Sequence, residues 1–297
     1  MSEGLPSMTA VVCALARAIH TRLDPAPIFD DPWGDLLVPS ELKASLRLSA
    51  IAALGSDHDS VLDDWIRANA FYSVLITRSR YTEDALAGAI GRGIRQYVIL
   101  GAGFDSYALR RPSSADDLAV YEIDQLATQS LKVKRMALCG VAAHRMPQFL
   151  PADMAREELG DVLARSTFRP GQPTFFSWLG VSGYLTRDAN LKTLRAIASN
   201  SAPGSELVFT YHDQASFQKK HSSEDEPLTT AKQWTRSVGE PHISGFHPHE
   251  LEFDLRSVGL ELLEDLNDQQ AVKRYDPEGL NGLTPPPVVR IAHARVI

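Results

Sequence analysis

The chain has 297 residues, 44% of them hydrophobic and 23% charged, enough for one large α/β domain with an extension. A net charge of −7 argues against a nucleic-acid groove, and no apolar run approaches the roughly 18–20 residues that span a bilayer. Two distant cysteines without a CxxC spacing argue against a disulfide framework or zinc site, and Met1–Met8 has no secretory pattern, so a cytoplasmic protein is expected.

The first third reads as helical. Thr9–His20 carries apolar residues at helical spacing and stops before Asp24-Pro25-Ala26-Pro27, and a second turn follows at Asp30-Asp31-Pro32-Trp33. Asp57–Ile90 is again helical, with Trp65, Ile66, Ala70, Val74 and Leu75 on one face, and Gly91-Arg92-Gly93 closes it. Residues 1–92 are therefore expected to form an N-terminal helical extension or cap, and 93–297 the core.

Beyond this point short apolar runs alternate with helical stretches, the rhythm of a mostly parallel sheet with crossover helices. The expected strands are Gln96–Leu100, Leu118–Ile123, Arg145–Leu150, Thr174–Leu179, Glu206–Tyr211, Leu260–Asp265 and Pro287–Val296. The expected helices are Asp105–Arg110, Gln125–Leu138, Met154–Arg165, Arg187–Asn200 and Pro248–Val258. The last strand alternates in part, which suits an edge or antiparallel strand. His212–Phe246 breaks the rhythm, with helix expected only at Leu228–Val238, and reads as a substrate-cap insertion near the carboxyl ends of the strands. The whole predicts a Rossmann-like α/β fold with a seven-stranded, mostly parallel sheet and helices on both faces.

The chemistry concentrates in Tyr97–Asp124. An apolar strand leads into Gly101-Ala102-Gly103-Phe104-Asp105-Ser106, where glycines let the backbone approach a ligand closely. A second strand ends in Asp124, 21 positions after Gly103, near the spacing at which a carboxylate accepts the ribose hydroxyls of an adenosine cofactor. A pyrophosphate cofactor such as NAD would meet the negative charge of Asp105, and Ser106 stands where the dinucleotide pattern has its third glycine. S-adenosylmethionine (SAM) carries no phosphate and is the better fit. Asp105 reads equally well as a helix cap.

The run Val98–Arg110 followed by Tyr121-Glu122-Ile123-Asp124 resembles the leucine carboxyl methyltransferase family, in particular its bacterial O-methyltransferase branch. Thr9-Ala10, Arg17-Ala18, Ile28–Pro32, Arg78–Asp84, Ala152-Asp153-Met154, Gly239-Glu240-Pro241 and Gly259-Leu260 match it in order, so the likeness spans nearly the whole chain. The resemblance implies a class I SAM methyltransferase in which Arg78 pairs with the methionine carboxylate of SAM. It implies further that Gly101 and Gly103 back the cofactor, that Asp124 holds the ribose, that Asp153 and Met154 flank the adenine, and that Ala102, Asp105 and Gln125 also belong to the cofactor site. Tyr184 matches a family tyrosine near the reacting groups. Two departures stand out. Leu179 replaces a glutamate that many relatives carry after the fourth strand, and Asp30 replaces the lysine found in relatives that methylate a protein C-terminus. The second points to a small-molecule acceptor.

A carboxylate acceptor is already ionised near neutral pH, so esterification needs alignment more than a base, and a carboxylate is the expected acceptor. A hydroxyl acceptor would want a base, for which His212 is the candidate by location, although a solvated loop histidine is its plainer reading. His247-Pro248-His249 lacks further ligands for a metal site, and Pro248 reads as the first residue of a helix. An NAD-dependent oxidoreductase on a related sheet, or a cofactor-binding protein without turnover, remain the alternatives.

Overall fold

The computed structural model describes residues 5–154, 156–215, 226–285 and 288–297. Its centre is a seven-stranded sheet: β1 Gln96–Leu100, β2 Ala119–Asp124, β3 Gln148–Pro151, β4 Thr174–Trp178, β5 Glu206–His212, β6 Leu260–Asn267 and β7 Val289–Val296. Their order is β3-β2-β1-β4-β5-β7-β6, with β1 to β5 parallel and β7 antiparallel to both of its neighbours. β7 thus lies between β5 and β6, antiparallel as expected but interior, and β6 forms the edge. Burial explains this: β7 has only one exposed position, whereas the middle of β6 is half-buried or exposed. Pro287, where the sequence reading began this strand, lies outside the described residues.

The helices are α1 Met8–Leu23, α2 Trp33–Leu37, α3 Ser40–Leu54, α4 Val61–Arg67, α5 Tyr72–Gly91, α6 Tyr107–Arg110, α7 Leu126–Leu138, α8 Leu159–Leu163, α9 Arg187–Ser199, α10 Glu226–Ser237, α11 Leu251–Arg256 and α12 Asp268–Tyr275. The stretch 57–90 is two helices rather than one, because the Asn69 side chain accepts from Phe71 N (2.9 Å) and turns the chain between α4 and α5. The helix expected at Met154–Arg165 shrinks to α8, with Asp153 drawing the preceding turn together through bonds from Arg156 N and Glu157 N. Pro248 opens a turn, and α11 starts only at Leu251. α3 falls in the stretch read as helical but was given no bounds, and α12 was not expected. α12 begins with a full capping box, Asn267 bonding Gln270 N while Gln270 bonds Asn267 N. Inside the expected cap insertion, α10 covers the anticipated helical stretch, and residues 216–225 of that insertion lie outside the described residues.

Period-two alternation sends Val98 and Leu100 of β1 to one face of the sheet and Tyr97 and Ile99 to the other. A third apolar cluster joins α1, α3, α4 and α5 through Val11, Leu15, Ile19, Leu46, Trp65 and Ile76, giving the N-terminal helices their own core. Among the described residues no helix is long and apolar enough to cross a membrane.

Candidate active site

The strand order reverses between β1 and β4, and a ligand crevice is expected there at the carboxyl ends of the strands. A cavity of about 270 Å³ lies there, reaching from Asp153 past the glycine turn to His212 and His242. Every site residue named from the sequence lines it: Arg78, Gly101, Ala102, Gly103, Asp105, Asp124, Gln125, Asp153, Met154, Tyr184 and His212.

The turn after β1 is shaped by backbone. Gly101 and Gly103 have φ of 66° and 52°, in the left-handed region open to glycine, and a Cβ on Gly101 would stand 2.4 Å from Val181 Cγ2. Gly101 N and Ala102 N bond Ile123 O at 2.9 and 3.1 Å, tying the turn to the end of β2. Asp124 reaches back to accept from Gly103 N and also accepts from Gln125 N (2.6 Å). Burial lifts the Asp124 carboxyl above the usual aspartate value, and these two N–H donors oppose that shift. Asp105 lines the cavity and its Oδ1 accepts from Tyr107 N (2.8 Å), bracing the turn before α6, whose N-cap position is Ser106.

Behind the turn lies a buried polar network. Arg17 of α1 donates to Asp31 (2.7 Å) and to Phe104 O (2.8 Å), and Ser106 donates to Asp31 (2.6 Å). Arg110 pairs with Glu83 of α5 and lies over the Phe29 ring. The N-terminal helices therefore grip the glycine turn directly.

Arg78 projects from α5, half-buried, with Nη2 3.4 Å from Cys13 Sγ. Among the described residues no carboxylate lies within ion-pair distance of it. Its guanidinium crowds Gly180, where a Cβ would come within 2.7 Å of Nη1, so the glycine after Leu179 makes room for the arginine. Asp153 follows β3, beside β2 in the sheet, and its Oδ2 lies 3.5 Å from Arg156 Nε. Met154 packs against the main core.

At the other end of the cavity, beyond β4 and β5, the lining is aromatic. Tyr184 ends a short 3-10 turn, and burial raises its hydroxyl well above the ordinary tyrosine value, so it stays a donor. His212 is the last residue of β5 and is 7% exposed, which sets aside the solvated-loop reading. His242 packs against it with ring centroids 4.3 Å apart, lies 4.9 Å from Tyr184, and meets the edge of Phe71 at 5.6 Å. Burial, then the neighbouring charges of His242, Lys232 and Arg78, hold His212 well below the usual histidine value. Burial and then Lys232 push His242 down to about 4. Both rings are uncharged at neutral pH.

Glu240, His242, Phe71 and Trp234 also line the cavity and were absent from the sequence-based site. Glu240, 5% exposed, accepts from Thr9 and from Ser7 Oγ (3.3 Å), closing the segment after α10 onto the start of α1. Its only sequence signal is the Gly239-Glu240-Pro241 run, quoted above for resemblance alone. His242, 30 residues from His212, offers no periodic signal.

Residues 10–198 match the family model described as leucine carboxyl methyltransferase. The protein named "Putative S-adenosyl-L-methionine-dependent methyltransferase YktD" of Bacillus subtilis is 31% identical over 93% of this chain and 95% of its own length. The chain belongs to the leucine carboxyl methyltransferase family. A relative from Mycolicibacterium vanbaalenii, named "Putative S-adenosyl-L-methionine-dependent methyltransferase", is 34% identical over 69% of this chain and 67% of its own. A solved structure from Thermobifida fusca, titled as a putative methyltransferase, shares the fold at 17% identity, with a TM-score of 0.57 over 99% of this chain and 96% of its own. With its family, the chain is a SAM-dependent methyltransferase, which sets aside the NAD-dependent alternative.

Proposed function

We propose that the protein moves the methyl group of SAM to an oxygen of a small-molecule acceptor, and that a hydroxyl on an aromatic or flat apolar body fits best. The observation that carries this is the lining beyond β4 and β5, where Phe71 and Tyr184 pack against two uncharged imidazoles and Trp234 also lines the cavity. Such a wall suits a planar apolar body, and a neutral imidazole can accept the proton a hydroxyl must lose.

The cofactor half suits SAM. Arg78 offers a fork to the amino-acid carboxylate of SAM, Asp124 suits the paired ribose hydroxyls, and Asp153 and Met154 suit the adenine. Asp105 at the start of α6 disfavours a pyrophosphate there. When bound, SAM supplies an electrophilic methyl carbon on a positively charged sulfur. The chain's own part is to align the acceptor oxygen with that carbon and exclude water, and such positioning is worth about 7–11 kcal/mol in favourable cases. Tyr184, as a donor, would orient the acceptor oxygen.

A carboxylate acceptor is the second reading, favoured by the positive charge of Lys232, which acts on both histidines. Labelled methyl transfer to a panel of phenols and carboxylic acids, followed against pH, separates the two. A phenol acceptor should give a rate that rises with pH to a plateau, and a carboxylate a flat one. Turnover confined to carboxylic acids would overturn the hydroxyl reading.

A further inference from the structure

We propose that Glu240, in the segment between α10 and β6, is a further cofactor-binding residue whose carboxylate faces the sulfonium of SAM, so that the cavity distinguishes SAM from its demethylated product, S-adenosylhomocysteine (SAH). This rests on the cofactor lying along the glycine turn, as proposed above, and is independent of what receives the methyl group. Glu240 lines the cavity and is 5% exposed. Its Oε2 accepts from Thr9 and from Ser7 Oγ (3.3 Å) at the start of α1. Its Oε1 has no donor among the described residues and keeps surface open to the cavity. Among the same residues no arginine, lysine or histidine lies within ion-pair distance of the carboxylate. A carboxylate buried this deeply is costly unless a cation or further donors answer it, and a cationic ligand would do so.

The position of Glu240 suits the sulfur rather than the ends of the cofactor. Although its segment also closes the acceptor end, Ser7 and Thr9 draw its carboxylate toward the glycine turn. The next residue of α1, Ala10, already lies so close that a Cβ on Gly103 would stand 2.8 Å from Ala10 Cβ. The charge of Glu240 is felt on both sides. Burial raises the Asp124 carboxyl and Glu240 adds to the rise, and burial raises the Tyr184 hydroxyl with Cys13 and Glu240 adding to it. Two carboxylates that repel each other in a cavity are relieved by a cation near both. In SAM the sulfur is joined to the ribose and presents its methyl group to the acceptor, so the sulfonium belongs between Asp124 and Tyr184. The charged residues of the lining agree: Asp105, Asp124, Asp153 and Glu240 face Arg17 and Arg78, and Arg17 is committed to Asp31 behind the turn. SAM, with a carboxylate, an ammonium and a sulfonium, brings a net positive charge, whereas SAH brings none. Once the methyl group has left, the sulfur is neutral and Glu240 loses its cation, which favours release of the spent cofactor.

The test is isothermal titration of SAM, SAH and sinefungin, an analogue with an amine-bearing carbon in place of the sulfur, onto the full chain. Glu240→Gln keeps an oxygen for Thr9 and Ser7 but removes the charge. It should weaken SAM on the order of tenfold and SAH by no more than about twofold, while Glu240→Asp, which keeps the charge, should hold the ratio of the two affinities within about threefold of wild type. On wild type, which needs no folded variant, sinefungin should bind more tightly than SAH. An equal loss of SAM and SAH in Glu240→Gln would make Glu240 a ribose acceptor or a latch on α1 and overturn the proposal. Unchanged affinities, or sinefungin binding no better than SAH, would overturn it too. If Asp124→Ala binds SAM and SAH as wild type does, the cofactor lies elsewhere and the inference falls with that reading.

Discussion

The two ends of the cavity are built differently. The end proposed for the cofactor comes mainly from one continuous run, Tyr97–Asp124, in which strand, glycine turn and second strand fix the backbone before any side chain matters. The acceptor end is gathered from α5, the turn after β4, the end of β5 and the segment from α10 to His242, and there the side chains do everything. A backbone-built site tolerates little change. A side-chain-built one can change without disturbing the turn.

If the contrast is right, the largest stability effects belong behind the glycine turn. Arg17→Met strips the fully buried Asp31 of its closest cation and Phe104 O of a donor, and should cost about 3–5 kcal/mol in chemical denaturation. A loss below about 1 kcal/mol would mean that the turn holds itself. Gly101→Ala forces a side chain into a left-handed position and against Val181, and should cost about 2 kcal/mol by the same measurement while weakening SAM binding. At the acceptor end, Phe71→Ala should raise the acceptor KM by up to about tenfold through lost ring contacts, leaving SAM affinity alone. A fall in SAM affinity as large as the change in KM would blur the division.

The acid limb of stability tests the acceptor end in another way. His212 and His242 bind protons less readily folded than unfolded, so the unfolded state takes up more protons below the ordinary histidine value of about 6.5. Their contribution is complete above that pH and is lost as pH falls toward about 4, where His242 itself titrates. Denaturation midpoints should therefore drop between those limits, with a slope of at most about 1.4 kcal/mol per pH unit for each histidine. His242→Phe should make the drop shallower, and an unchanged slope would mean that His242 is not held uncharged by the fold.

What could be read from the sequence follows the same line. The glycine turn, Asp124 and the parallel strands were legible because strand period, glycine and a carboxylate at fixed spacing are local signals. α3 and α12 also carried local signals, Pro39 with Gly55 and the Asn267–Gln270 box, which the sequence reading passed over. The interior position of β7 was not legible, since partial alternation fits an antiparallel strand whether or not another strand covers it. Nor was the pairing of His242 with His212, or of Glu240 with Thr9, because each joins residues that meet only through tertiary packing. His212 itself was found by its place at a strand end, but its burial was not.

The division of the cavity is tested most directly by isothermal titration of SAM onto three proteins: wild type, Asp124→Ala and His242→Phe. Asp124→Ala should lose about 1.5–3 kcal/mol of binding, roughly ten- to a hundredfold, because a charged acceptor is removed from both the turn and the ribose. His242→Phe should bind SAM as wild type does, within about twofold. An Asp124→Ala protein that binds SAM normally, or a His242→Phe protein that loses it as badly as Asp124→Ala, would contradict the account.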